Sequence, residues 1–148
     1  MPIEYNIIED KNLILVKGSG IITGRDVLNH LADLSKDDRY VSFMKKFIDY
    51  RFVQNITVTS EEAWQIADKK KALRTIFHGE KCAFVSPKDI SFGASRMHQI
   101  LVEGADLSTE VFRNVEDGQG VIFCLNSVRF VSMYGTPGKT LLMTPVLQ

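Results

Sequence analysis

The sequence has few of the residues that mark specialised protein classes. Among its 148 residues are only two cysteines and four prolines, and glycine occurs ten times. This composition excludes a disulfide scaffold, which needs dense cysteine, and a collagen-like or proline-rich chain. Cys82 and Cys124 each lie in an apolar run. We expect free buried thiols, as in a reducing compartment, and predict a cytoplasmic location.

The chain also lacks an excess of charge of either sign and any long apolar run. Eighteen Lys and Arg balance eighteen Asp and Glu, so we expect no nucleic-acid partner. Apolar runs such as Val121 to Leu125 are far shorter than the ~20 residues of a membrane-spanning helix. The first residues lack the basic and apolar segments of a secretory signal. We therefore expect neither a signal nor an integral membrane segment.

The rest of the composition is that of an ordinary globular protein, with 45% hydrophobic and 24% charged residues. The length favours one domain. Strand-like runs at 4–8 and 13–17, separated by the turn residues 10–12, predict an antiparallel hairpin. The segment 18–20, which reads Gly-Ser-Gly, is predicted to end the second strand.

Strands and helices then alternate along the chain. Three further strand-like segments, at 46–53, 82–85 and 110–113, are separated by segments whose apolar residues recur at helical spacing. The second of these helices is predicted to continue to His78, and a last helix is predicted over 115–126. This order predicts an α/β fold with a mixed, mostly parallel β-sheet and packed α-helices.

Three helix starts are marked by residues that can cap a first turn. Thr23 followed by Asp26, and Thr59 followed by Glu62, have the spacing of a capping box. Asp89 is the predicted N-cap of the third helix, because it follows a loop and precedes an apolar stripe.

The C-terminal part differs from the rest. Residues 127–148 contain strand-like runs around the turn sequence Gly135–Gly138, which predicts a hairpin or arm added to a domain of residues 1–126. Exposed apolar arms must be covered. We therefore expect the arm to pack on the domain or on a second subunit, and we predict a homodimer.

Five segments, in this order, carry a further pattern. They are Val16–Thr23 (V-x-G-x-G-x-x-T), Asp49–Arg51 (D-x-R), Ala83–Pro87, Phe92–Met97 (F-G-x-x-R-M) and Val111–Arg113 (V-F-R). In these motifs the chain resembles the SpoIIAA-like family, a branch of the STAS fold (sulfate transporter and anti-sigma-factor antagonist domains). It lacks the family's closing A-x-x-W-L helix. The resemblance implies a small bacterial α/β fold, often dimeric, without established activity. The family is also compared with CRAL-TRIO lipid-transfer domains, which implies an apolar ligand pocket.

Asp49 and Arg51 are the sharpest polar feature of the sequence. Two residues apart, they share one face of a predicted central strand. Arg51 can bind a carboxylate or phosphate there, with Asp49 orienting it, and Arg96 on the third helix is expected to join them. The alternative is a structural ion pair and a surface arginine. We predict a non-enzymatic module that binds an apolar or amphipathic anion at these three residues.

Two other functions stay open. Regulatory STAS domains carry a phosphorylated serine where the helix after the third strand begins, so the resemblance points to Ser60 as a switch for a protein partner. The family's Asp-Ser-Ser-Gly signature reads Val58–Glu61 here, and helix capping also explains the hydroxyls. The other alternative is an uncharacterised enzyme. No nucleophile, metal-ligand spacing or cofactor motif supports it, so we predict no catalytic residues, metal or cofactor.

Overall fold

The structure is a computed structural model that describes residues 2–105 and 107–122. Within these residues five strands form one sheet in the order β1-β2-β3-β4-β5. Their bounds are Ile3–Ile8 (β1), Leu13–Thr23 (β2), Lys45–Thr57 (β3), Lys81–Val85 (β4) and Ser108–Phe112 (β5). β1 is antiparallel to β2, and the other neighbouring strands are parallel. The predicted α/β architecture is confirmed.

Helices follow the strands as the sequence predicts. They are Gly24–Lys36 (α1), Ser60–Ala72 (α2), Arg74–Phe77 (α3), Asp89–Leu101 (α4) and Val115–Ile122 (α5). Both predicted capping boxes are present, with the Thr23 and Thr59 hydroxyls accepting from the amides of Asp26 and Glu62. These bonds satisfy amides that the first turn of a helix leaves without partners.

Two helix boundaries differ from the prediction. Asp89 is not an N-cap: α4 begins at Asp89 itself, after Lys88, and the Asp89 carboxylate accepts from Arg113 at 2.8 Å. The second helix does not run unbroken to His78. It ends at Ala72, because Leu73 leaves the helical conformation (φ −92°, ψ 23°), and the chain turns into α3, where Phe77 is fully buried.

The prediction that residues 18–20 end the second strand is wrong. β2 continues to Thr23, with shifts in its register against β3 between Lys17 and Ser19 and between Gly20 and Ile21. At Gly18 a Cβ atom would lie 2.6 Å from Cδ1 of Tyr50, and Gly20 has φ +66°. The glycines therefore permit bulges and close contact with the neighbouring strand rather than a break.

The sheet has a hydrophobic core on each face. The larger core lies under α1, α2 and α4, and contains Ile48 and Phe84. The smaller core lies under α5, and contains Phe47, Val85 and Val115. Successive residues of a strand point to opposite faces, so β3 supplies Ile48 and Tyr50 to the larger core and Phe47 to the smaller one.

Some predictions concern parts of the chain outside the described residues. These include the C-terminal extension 127–148, Cys124 and the end of the predicted domain at 126. The homodimer stays a prediction as well. Of the helices in ranges 2–105 and 107–122, none combines the length and apolar character needed to cross a bilayer.

Candidate functional site

Asp49 and Arg51 form a close ion pair, as their spacing predicts. Arg51 Nη2 lies 2.8 Å from Asp49 Oδ2, and Arg51 Nε lies 3.0 Å from Oδ1. The backbone amide of Arg51 also donates to Oδ1 at 3.0 Å. The Asp49 carboxylate is buried, while the Arg51 side chain is 32% exposed. Several N–H donors of Arg51 thus hold the Asp49 carboxylate in place. This geometry fits a structural ion pair, and it also fits a site in which Asp49 orients Arg51 to bind an anion.

Arg96 does not join this pair. Asp49 lies beside Val85 in register and faces α5, whereas Arg96 belongs to α4 on the opposite face of the sheet. Arg96 is exposed and donates to Gln99 Oε1 at 2.6 Å. The structure therefore does not bring the three predicted ligand-binding residues into one site. Ligand binding at the Asp49–Arg51 pair stays a prediction.

A cavity lies on the other face of the sheet, between the strands and helices α1, α2 and α4. Its volume is about 400 Å³, within the range of roughly 300–1,000 Å³ that is usual for small-molecule sites. Aliphatic and aromatic side chains form most of the wall, among them Val16, Ile22, Ile48, Ile56, Ile66 and Phe84. Ile90 and Met97 of α4 also line it and are 47% and 40% exposed, which indicates that the cavity opens towards solvent at α4.

A buried cluster of polar side chains adjoins this cavity through Lys70, which lines its wall. Lys70 of α2 lies with its Nζ 2.6 Å from Glu80 Oε1, an ion pair whose angles depart from hydrogen-bond geometry. Tyr40 donates its hydroxyl to Glu80 Oε2 at 2.5 Å. Burial opposes ionisation of Glu80, but the charges of Lys70 and Lys46 and the bond from Tyr40 hold its pKa at about 2. Glu80 is therefore an anion that two donors already contact.

Lys46 has no such partner. Its side chain lines the cavity and is 2% exposed, yet within residues 2–105 and 107–122 no hydrogen-bond acceptor and no carboxylate lies against its ammonium group. Burial lowers the Lys46 pKa; Glu80 raises it and Lys70 lowers it further. Taking an ammonium group out of water without giving it an acceptor is costly.

Two histidines complete the polar part of the wall. His30 of α1 is 8% exposed, and its Nε2 has no hydrogen-bond partner. Burial, followed by the charges of Lys46 and Lys70, lowers the His30 pKa to about 2. The same three causes lower the pKa of the partly buried His98 to about 3. Both imidazoles are therefore neutral at physiological pH and can offer either a donor or an acceptor to a ligand.

Comparison with solved structures identifies the fold. Three solved chains match. One is an uncharacterized protein of the DUF3478 family from Shewanella loihica PV-4, whose description gives it a SpoIIAA-like fold. The two proteins are 15% identical, with a TM-score of 0.51 over 81% of this chain and 91% of that chain. This chain has a SpoIIAA-like fold. No protein-family model and no curated protein matches it.

Within this SpoIIAA-like fold, Ser60 is the first residue of α2 and is exposed. The cap of the helix is Thr59, whose hydroxyl accepts from the amide of Glu62 at 3.1 Å. The Ser60 hydroxyl is thus accessible at a helix N-terminus. The amides of the first turn would attract a phosphate there, whereas the carboxylates of Glu61 and Glu62 would repel it. Phosphorylation of Ser60 stays a prediction.

Two other kinds of site, a reactive cysteine and a metal centre, can be compared with the structure. Cys82 is buried in β4, and burial raises its pKa to about 12, which keeps the thiol protonated. In the portion of the chain that the structure describes, no three His, Cys, Asp or Glu residues are grouped so that they could hold a metal ion.

The sequence contains a signal for Lys46, although this residue is not among the predicted site residues. Lys46, Ile48 and Tyr50 alternate along β3, so a lysine shares the buried face with two large apolar side chains. A lysine on such a face needs a partner or a ligand. No comparable signal marks His30, since its role depends on which part of the sheet α1 covers.

Proposed function

We propose that the protein is a non-enzymatic module that binds a small amphipathic molecule, apolar in its body and anionic at one end. The site is the cavity under α1, α2 and α4, on the opposite face of the sheet from Asp49 and Arg51. One observation carries the proposal: an apolar cavity of about 400 Å³ has buried polar side chains in one part of its wall. Small-molecule sites combine these two properties.

The shape of the cavity favours a ligand with an extended apolar body. The lining follows β3 from Lys46 to Ile56, and aliphatic residues of α1 and α2 cover it. Each methylene moved from water into such surroundings contributes about 0.8 kcal/mol. Within a series of ligands, one added methylene should therefore lower Kd roughly fourfold until the cavity is full.

Side chains that fill the cavity test this proposal directly. Ala63 of α2 and Ala94 of α4 both line it, so Ala63→Phe and Ala94→Phe each reduce its volume from a different helix. Ala72→Phe is the matched control, because Ala72 is an exposed residue of α2. Binding of saturated carboxylates of increasing chain length is measured by isothermal titration calorimetry below their micellar concentrations.

We expect wild type and Ala72→Phe to bind with affinities that rise with chain length. The folded cavity-filling variants, checked by circular dichroism, should bind at least ten times more weakly. Equal binding by the cavity-filling variants would place the ligand elsewhere. Wild-type protein that binds no member of the series would refute the proposal.

A further inference from the structure

We propose that the anionic end of the ligand is a carboxylate, which accepts hydrogen bonds from the Lys46 ammonium group and from Nε2 of His30. This inference rests on the proposed function, because it names the head group of a ligand in the same cavity. Its basis is that Lys46 and His30 are buried and line one cavity. Among the described residues, Nε2 of His30 has no hydrogen-bond partner, and no hydrogen bond or ion pair holds the Lys46 ammonium group.

The two buried lysines of the cavity differ in what they contact. Lys70 is paired with Glu80 at 2.6 Å, and the second oxygen of Glu80 accepts from Tyr40. The carboxylate of Glu80 is therefore already contacted through both oxygens. Lys46 is equally buried, at 2% exposure, but no acceptor in the described chain is within reach of its Nζ. Among the described residues the ammonium group of Lys46 is thus left for an acceptor on a molecule that enters the cavity.

Counting charges gives the sign of that molecule. Lys46 and Lys70 are two cations, and Glu80 is one anion. The histidines add no charge, since burial lowers the pKa of His30 and of His98 far below neutrality. The buried group thus has one positive charge in excess when Lys46 is protonated. A singly charged anion balances it, and its presence would favour the protonated form of Lys46.

His30 supplies the second contact. Its Nε2 is buried without a partner among the described residues, and His30 and Lys46 line the same cavity. After burial, the charge of Lys46 is the largest influence that lowers the His30 pKa. A neutral imidazole that carries its proton on Nε2 donates one hydrogen bond. Lys46 and His30 together offer two donor groups, and a carboxylate offers two acceptor oxygens.

The same charges and donor groups disfavour a phosphate as the head group. A phosphate monoester approaches two negative charges at neutral pH and has three acceptor oxygens on phosphorus. Arginine is the residue that binds such groups with several hydrogen bonds, and none of the described arginines lines the cavity. One excess positive charge and two donor groups fit a carboxylate better.

Three compounds with the same alkyl chain separate the head groups. Wild-type protein is titrated with dodecanoate, dodecanol and dodecyl phosphate by calorimetry, and the ratios of the dissociation constants are compared. The variants are Lys46→Met, Lys46→Gln and His30→Phe, so that two different replacements test Lys46. Lys69→Met is the matched control, because Lys69 is an exposed lysine of α2.

We expect wild type and Lys69→Met to bind dodecanoate at least ten times more tightly than dodecanol or dodecyl phosphate. Either Lys46 variant should reduce the preference for dodecanoate over dodecanol to less than threefold, while dodecanol still binds. His30→Phe should reduce that preference severalfold.

Two results would overturn the head-group assignment alone: dodecanol or dodecyl phosphate binding as tightly as dodecanoate, or an undiminished preference in the Lys46 variants. Failure of all three compounds to bind wild type would overturn the proposed function together with it.

Discussion

Replacing the two buried lysines of the cavity by methionine should change stability in opposite directions. Lys46 is 2% exposed and has no acceptor in the described chain, so Lys46→Met removes a desolvated charge and keeps a side chain of similar length. Exchanging even a buried ion pair for well-packed apolar side chains of similar volume is often neutral or stabilises proteins by about 1–4 kcal/mol. We expect Lys46→Met to raise the free energy of unfolding of the ligand-free protein within that range.

Lys70→Met should have the opposite effect. Lys70 lies 2.6 Å from Glu80, and its removal leaves a buried carboxylate whose side-chain hydrogen bond within the described residues comes from Tyr40. Breaking one partner of a buried ion pair costs about 3–5 kcal/mol. The two substitutions are chemically identical and both lysines are 2% exposed, but Lys70 has the carboxylate partner Glu80.

Urea denaturation of ligand-free protein at pH 7 measures both effects, with midpoints compared at an unchanged m-value. Lys69→Met is the exposed control and should stay within about 0.5 kcal/mol of wild type. Loss of stability in Lys46→Met similar to that in Lys70→Met would refute the reasoning, since it would mean that Lys46 has a stabilising partner.

The pH dependence of the Lys46→Met effect provides a second check. Burial lowers the Lys46 pKa from its ordinary value of 10.5, so the unfolded chain binds more protons than the folded protein between the two pKa values. The stability of wild type therefore rises with pH up to about 10.5 through this group. The advantage of Lys46→Met should shrink as the pH approaches that value. An advantage that grows with pH would contradict the direction of the shift.

The remaining predictions concern stability, and urea denaturation measures all of them. Gly93→Ala should stabilise by up to about 1 kcal/mol through helix propensity, because no atom lies within 4 Å of the new Cβ. Gly118→Ala should destabilise the protein by about 1–3 kcal/mol, because its Cβ would lie 2.8 Å from Cγ2 of Val85 in the smaller core. Equal stability changes for Gly93→Ala and Gly118→Ala would contradict this packing. Burial lowers the His30 pKa from 6.5 to about 2, so acidification below pH 6.5 should lower the free energy of unfolding by up to about 1.4 kcal/mol per pH unit. His30→Phe should remove this pH dependence. Thr59→Ala should cost about 1 kcal/mol and Ser60→Ala far less, since Thr59 is the cap; the reverse order would refute the capping assignment.

Local chemistry allowed much of the fold to be predicted. A hydroxyl three residues before a carboxylate marked the starts of α1 and α2, because these groups bond the first turn without help from distant residues. The pairing of Asp49 with Arg51 followed from the two-residue period of a strand. Gly18 was misread, because its role depends on Tyr50 in the neighbouring strand, a contact that the local sequence does not encode.

The candidate site could be predicted only in part. The choice of an amphipathic anion came from the family resemblance, but its predicted location used Asp49 and Arg51 on the α5 face. The cavity lies on the other face, and it forms from residues of three helices whose positions depend on tertiary packing. Lys46 was visible in the alternation of β3. The unpartnered nitrogen of His30 was not, because it depends on how α1 lies across the sheet.

Methyl NMR of wild-type protein titrated with dodecanoate tests the central claim most directly, since it reports which face of the sheet meets the ligand. Ile22 and Ile66 line the cavity, whereas Leu15 and Val85 belong to the smaller core on the face of Asp49. The account predicts saturable shifts of the Ile22 and Ile66 methyl signals, with Leu15 and Val85 changing little. Shifts concentrated at Leu15 and Val85, or no saturable shift at any of the four residues, would contradict it.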